Sequence, residues 1–86
     1  MEDLNAPKKH LTIEVKCYAG YMGEETPISF FIGDRQIAIV EVVDRWLAPD
    51  HRYFKVLGDD KAIYIIRHDM LSKIWELTFF RKDPGN

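Results

Sequence analysis

Arginine, histidine and aromatic residues are concentrated in one segment near the middle of the chain. Residues 44–54 read Asp-Arg-Trp-Leu-Ala-Pro-Asp-His-Arg-Tyr-Phe. Guanidinium groups stack on aromatic faces, and Arg, Trp and Tyr are enriched where proteins bind partners. Aromatic side chains also stack on nucleic-acid bases. The segment therefore predicts a binding surface, while a purely structural interpretation places Trp46 and Phe54 in the core and leaves Arg45 and Arg52 in solvent.

A second polar group, Arg67-His68-Asp69, follows an apolar stretch. Neighbouring residues on a strand point to opposite faces, so His68 and Asp69 are not expected to form an oriented general base. No serine lies in a nucleophile-elbow motif, and the cysteine and histidines lack the spacing of zinc ligands. We therefore expect no catalytic residue, no metal and no cofactor, and we predict a non-enzymatic binding module.

The predicted binding surface combines both groups and one residue from a glycine-containing loop at residues 18–27. Its members are Arg45, Trp46, Arg52, Tyr53, Arg67 and His68, with Tyr21 at the margin. The expected partner is a protein or a nucleic acid. One alternative is a small ligand-binding protein or enzyme with a pocket near His51 and His68, where Asp69 would be a further polar group. Another is a structural homodimer joined through an exposed strand edge.

The elements that must position these residues are hairpins. An apolar run meets Gly-Asp twice, at Gly33-Asp34 and at Gly58-Asp59, and becomes apolar again after a few polar residues. Glycine tolerates positive φ and Asp bonds its own backbone in tight turns, so both junctions predict β-hairpins. If the two outgoing strands run in the same direction, the polar-aromatic segments at their ends share one rim.

Alternation of apolar and polar residues predicts six strands, at about residues 11–18, 28–32, 36–46, 53–57, 62–68 and 74–80. The third strand is apolar on both faces, with Ile37, Ile39 and Val43 on one face and Ala38, Val40, Val42 and Trp46 on the other. A bulge near Glu41 is expected there. In the last strand Trp75, Leu77 and Phe79 share one face.

These strands predict an all-β fold, a small six-stranded antiparallel meander that forms a partly open barrel. The second choice is a curled sheet with one helical turn at residues 69–72. We expect a flexible N-terminal tail at residues 1–9, a single β domain at residues 10–80 and a C-terminal tail at residues 81–86. The 86-residue length agrees with one domain.

The composition of the chain disfavours several classes of function. The net charge of −2 disfavours a dedicated nucleic-acid binder, because such domains usually carry a basic excess. The single Cys17 cannot form an intrachain disulfide, and neither a signal peptide nor a 20-residue apolar run is evident. We therefore expect a cytoplasmic protein without a membrane partner.

Residues 30–77 also carry a set of short motifs, namely Tyr53-Phe54-Lys55-Val56, Tyr64-Ile65-Ile66-Arg67-His68-Asp69 and Trp75-Glu76-Leu77. With Phe31, Gly33, Arg35 and the run that ends in Trp46, this pattern resembles a family of short uncharacterised bacterial proteins. Some members of that family are encoded beside Y-family, lesion-bypass DNA polymerases. The resemblance therefore implies a link with DNA repair, and it implies no activity or site.

Overall fold

The computed structural model describes residues 11–19 and 25–82, which form six antiparallel strands in the order in which they follow one another in the chain. Their bounds are Leu11–Ala19 (β1), Glu25–Ile32 (β2), Arg35–Leu47 (β3), His51–Gly58 (β4), Ala62–Asp69 (β5) and Trp75–Lys82 (β6). The strands close into a barrel and the described residues contain no helix, so the all-β prediction is confirmed. Residues 70–72 form a turn, and β6 continues two residues past the expected end of the domain.

Closure of the barrel rests on a short ladder between the first and last strands. Three pairs join β1 to β6, namely Leu11 with Leu77, Thr12 with Glu76 and Ile13 with Trp75. Beyond Ile13, β1 continues past the first residue of β6. Along this overhang β1 has no described partner on its β6 side, at the end where β5 finishes and β6 begins.

Core residues alternate with outward-facing residues along the strands, in the period of two that the sequence shows. It consists of Ile13, Phe30, Ile37, Phe54, Val56, Ala62, Tyr64, Ile66 and Trp75. The alternation is most regular in β5, where Ala62, Tyr64, Ile66 and His68 are buried and the residues between them are half-buried. One face of each strand therefore lines the barrel and the other forms its outer surface.

Two bulges in β3 change which of its residues face the core. The pairing with β4 shifts register between Ile39 and Glu41 and again between Val42 and Asp44. The bulge predicted near Glu41 is therefore present. The prediction that Val43 shares a face with Ile37 is wrong, because the register shifts bring Val42 onto the core and leave Val43 46% exposed.

A bulge at Thr78 has the same effect in β6. Ile66 pairs with Leu77 and Ile65 with Phe79, so Thr78 has no directly opposite residue, and its hydroxyl donates to the Ile65 carbonyl at 3.1 Å. The expected shared face of Trp75, Leu77 and Phe79 therefore breaks at Thr78. Phe80 contacts the Tyr64 ring at 5.1 Å instead.

The second strand begins earlier than the sequence predicts, because Pro27 belongs to it rather than to the preceding loop. Pro27 is fully buried and pairs with Cys17 of β1. On the other side, β3 pairs with β2 only through residues 29–32. Proline lacks the N–H that a two-sided ladder needs, so it fits a strand position with one neighbour.

Both Gly-Asp turns connect the strands of a hairpin, but the two glycines have different structural roles. Gly33 has φ +65°, which satisfies the two-residue turn between β2 and β3. In the second turn the positive φ falls on Lys61, at 70°, and the Lys61 amide donates to the Gly58 carbonyl at 2.9 Å. Gly58 itself is buried, and a Cβ there would lie 2.8 Å from Ile37 Cγ2 and 3.0 Å from Tyr64 Cε1.

Asp60 connects this second turn to the core. It accepts hydrogen bonds from the Tyr64 hydroxyl at 2.5 Å and the Ala62 amide at 3.1 Å, and Arg35 lies 3.1 Å away. Burial opposes ionisation of Asp60, but the bonds from Tyr64 and Ala62 outweigh it and lower the pKa below its ordinary value. Burial and the bond to Asp60 both raise the pKa of Tyr64.

Replacing Gly58 by alanine should destabilise the protein through crowding, whereas replacing Gly33 should act through backbone strain. We expect Gly58→Ala to lower the free energy of unfolding by about 1–3 kcal/mol, measured by urea denaturation. Gly33→Asn should be milder than Gly33→Ala because Asn tolerates positive φ. A Gly58→Ala variant as stable as the parent would show that β4 and β5 do not pack as described.

Replacing Asp60 by asparagine should destabilise the protein most at neutral pH. The folded-state pKa of Asp60 is lowered, so its contribution is complete above the unfolded-state value near 3.8 and is lost as pH falls through the folded value. We expect Asp60→Asn to lower the free energy of unfolding by about 1–3 kcal/mol at pH 7, and the difference should shrink at about pH 3. The exposed neighbour Asp59→Asn is the control; a deficit for Asp60→Asn that is equal at both pH values would contradict the assignment.

Candidate functional site

The two polar-aromatic segments meet at one end of the barrel, as the hairpin pattern predicts. β3 and β5 both lie antiparallel to β4, and Trp46 pairs with Tyr53, which pairs in turn with Arg67. The Met70 amide donates to the Asp50 carbonyl at 2.9 Å, which joins the β3–β4 connection to the β5–β6 turn. This rim therefore brings together residues that are more than 20 positions apart in the chain.

Directly paired residues of antiparallel strands lie on the same face, so the register defines a row on the outer surface. Trp46, Tyr53, Arg67 and Glu76 form this row, which we name the outer platform. The Trp46 and Tyr53 rings are stacked, with centroids 5.2 Å apart and planes 4° from parallel. The platform therefore presents a stacked pair of aromatic rings next to an ion pair.

Arg67 holds the platform in place through two contacts. Its Nε donates to Glu76 Oε1 at 2.7 Å, and its Nη1 donates to the Tyr53 hydroxyl at 3.3 Å. Burial opposes the charge on Arg67, but these two bonds and the Glu76 carboxylate raise the pKa of its guanidinium. The charge of Arg67 is thus largely neutralised by Glu76 within the outer platform.

The neighbouring row faces the barrel interior and lines a cleft at the open end. Arg52 pairs with His68, and His68 pairs with Trp75. The His68 and Trp75 rings are stacked, with centroids 4.3 Å apart and planes 5° from parallel. The cleft, which we name the mouth cleft, has a volume of about 590 Å³ and is lined by Val15, Cys17, Arg52, His68, Met70, Lys73 and Trp75.

The predicted binding surface is therefore two surfaces rather than one. Trp46, Tyr53 and Arg67 lie in the outer platform, whereas Arg52 and His68 line the mouth cleft. The physical reason is strand alternation, which sends adjacent residues to opposite faces. The remaining members are Arg45, which is exposed with its guanidinium carbon 5.9 Å from the Phe54 ring centroid, and Tyr21, which lies outside the described residues.

The core interpretation holds for Phe54 but not for Trp46. Phe54 is 4% exposed, whereas Trp46 is 41% exposed on the outer surface. A Trp with this exposure is available to a partner. The alternative that treated Trp46 only as core packing is wrong.

The two histidines considered for a pocket do not meet in one. His51 Nε2 lies 3.4 Å from Asp69 Oδ2, and this pair sits in the next outward-facing row. Asp69 also accepts hydrogen bonds from the Ser72 and Leu71 amides, which hold the pKa of its carboxyl below the ordinary value. His68 lines the mouth cleft without His51.

The sequence pattern does not predict two features of the site. Met70 and Lys73 belong to the connection between β5 and β6 and also line the mouth cleft. Ile65 and Phe79 pair on the outer face, where Phe79 is 45% exposed. The bulge that exposes Phe79 has no distinct sequence signal, since the alternation in β6 is otherwise regular.

No group of three metal-binding side chains occurs in the described ranges, and no helix there has the length and hydrophobicity for a membrane span. The chain matches no protein-family model, no curated protein and no solved structure.

Proposed function

We propose that this chain is a non-enzymatic protein-binding module whose outer platform docks against a partner protein. The observation that carries the proposal is the exposed, stacked pair of Trp46 and Tyr53, held by Arg67 and Glu76. Trp, Tyr and Arg are the residue types enriched in the hot spots of protein interfaces. Because the rings are already ordered, a partner that covers them loses little additional side-chain entropy.

The apolar surface continues beyond the platform. Ile65 lies diagonally across from Tyr53 on the neighbouring strand and pairs with Phe79. The outward-facing Leu57 and Ile63 pair further along the same sheet and are half-buried. Lys55 lies between Tyr53 and Leu57 on the outer face of β4, and Arg81 pairs with Ile63. Apolar and charged side chains are therefore interspersed on this face, a mixture that protein interfaces also show.

The charges favour a protein over a nucleic acid. Arg67 forms an ion pair with Glu76, and the backbone register places the acid Asp44 opposite Lys55. Affinity for nucleic acid depends on cations that are available to neutralise phosphates. Near the platform the two signs are interspersed, and the net charge of the chain is −2.

Side chains rather than the backbone edge of β3 are the expected docking element. In the described part of the chain, residues 39–47 pair with β4 and with no second strand. The two bulges, together with Glu41 and Asp44, disfavour the addition of another strand along this edge. This also disfavours a homodimer formed by edge pairing.

We further propose a cytoplasmic location, since the single Cys17 leaves the chain without an intrachain disulfide. A role in DNA repair rests on the family resemblance of residues 30–77 alone. Under that proposal the partner would be a protein of the repair machinery rather than DNA itself.

Photo-crosslinking in the cells that express the protein tests the docking surface. A benzophenone amino acid at Lys55, beside the platform, should crosslink a partner protein that the same probe at Glu14, an exposed β1 position, does not capture. Trp46→Ala should reduce the Lys55 crosslink by about tenfold or more, because interface tryptophans carry a large share of binding energy. Thermal melting should stay close to that of the parent, since Trp46 is exposed.

The matched control is Ile28→Ala, which removes a 50% exposed apolar side chain from β2, a strand that pairs with β1 and β3 rather than with β4, β5 or β6, and it should leave the crosslink unchanged. Equal capture from Glu14 and Lys55, or a Lys55 crosslink insensitive to Trp46→Ala, would contradict the proposal. A crosslink that nuclease treatment abolishes would assign the platform to a nucleic acid instead.

A further inference from the structure

The mouth cleft is separate from the outer platform, because strand alternation turns its residues to the opposite face of β4 and β5. Its volume of about 590 Å³ lies within the range of small-molecule sites, about 300–1,000 Å³. The register places Arg52, His68 and Trp75 side by side on three successive strands. Regular sheet therefore positions these three residues, while Met70 and Lys73 come from the connection between β5 and β6.

The floor of the cleft is flat and rigid. His68 and Trp75 are 7% and 8% exposed, and their rings are stacked with centroids 4.3 Å apart. Trp75 is further fixed by Phe54, whose ring centroid lies 5.6 Å from its own. Val15 and Met70 add apolar walls. This floor suits a compact apolar or planar group.

Two cations line the cleft without a partner among the described residues. Neither Arg52 nor Lys73 forms a salt bridge or side-chain hydrogen bond with any residue in the ranges 11–19 and 25–82. By contrast, Arg35 pairs with Asp60 and Arg67 pairs with Glu76. The two acids nearest in sequence to Lys73 both have other partners. Glu76 pairs with Arg67, and Asp69 accepts from the Leu71 and Ser72 amides and lies beside His51. A half-buried guanidinium without a carboxylate partner is stabilised when an anion supplies the missing bonds.

We propose that the mouth cleft binds a small organic anion, with its charged group between Arg52 and Lys73 and its apolar body against His68 and Trp75. Carboxylates and phosphate monoesters share this chemistry. The fork of Arg52 can bond two oxygens of either group, and Lys73 adds a point charge. The proposed ligand is a small molecule because the volume of the cleft, about 590 Å³, is that of a small-molecule site.

Binding can be measured through the tryptophan in the floor. In a Trp46→Phe background Trp75 is the only tryptophan, so its fluorescence reports on the cleft. Benzoate and phenyl phosphate are the probes for the two sources of the anion, benzamide is the neutral analogue, and inorganic phosphate lacks the apolar body. We expect benzoate or phenyl phosphate to change the Trp75 emission saturably, and benzamide and inorganic phosphate to bind at least about tenfold more weakly.

Charge removal distinguishes a site from a general effect of net charge. Arg52→Gln should weaken binding of the better probe by about tenfold or more, since hydrogen bonds to charged groups are strong. Arg81→Gln removes the same charge at the far end of the barrel, where Arg81 pairs with Ile63, and should leave binding unchanged. Lys73→Asn provides a second test if Arg52→Gln does not fold, because Asn tolerates the φ of 67° at this position.

The thiol in the cleft wall offers an independent readout. Cys17 is the only cysteine, and it is half-buried. The better anion should slow its reaction with the neutral reagent dithiodipyridine, and this protection should be lost in Lys73→Asn. The proposal is overturned if neither anion changes Trp75 emission, if benzamide binds as well as benzoate, or if Arg52→Gln and Arg81→Gln behave alike. None of these results bears on crosslinking at the outer platform.

Discussion

Trp75 is the residue on which the closure of the barrel depends. It starts β6, pairs with Ile13 in the three-pair ladder to β1, and pairs with His68 on the other side. Its ring packs on Phe54 and stacks on His68. One buried side chain thus joins the last strand to its two neighbours, fills part of the core and provides the floor of the mouth cleft. The registers of β1, β5 and β6 at this end of the barrel meet at this junction.

With the register fixed there, strand alternation divides a single sequence cluster between two surfaces. Trp46, Tyr53 and Arg67 face outward, whereas Arg52 and His68 face the cleft. The electrostatic character of the two surfaces differs for the same reason. On the outer face Arg67 meets Glu76, while Arg52 finds no carboxylate in the described interior. One surface therefore suits a protein with mixed charges, and the other suits a small anion.

The features predictable from sequence are those that local patterns determine. Alternation in β1 and β5 and the two Gly-Asp turns lead directly to the meander and to the shared rim. The apolar residues on both faces of β3 predict a bulge near Glu41, but the exact positions of the bulges at Val40, Val43 and Thr78 depend on which residue of the neighbouring strand lies opposite. For this reason alternation alone places Val43 and Phe79 on the wrong face. Gly58 shows the same limit, because its need for a small side chain comes from Ile37 and Tyr64 on other strands.

The division into two surfaces is tested most directly by ¹⁹F NMR on protein labelled with 5-fluorotryptophan, which gives one resonance for each of its two tryptophans. A neutral gadolinium chelate should broaden the Trp46 resonance and spare that of Trp75, because the two residues are 41% and 8% exposed. Benzoate should shift the Trp75 resonance and leave that of Trp46 in place. Two resonances that respond alike to both reagents would show that Trp46 and Trp75 do not lie on opposite faces of the barrel wall, and the account would be wrong.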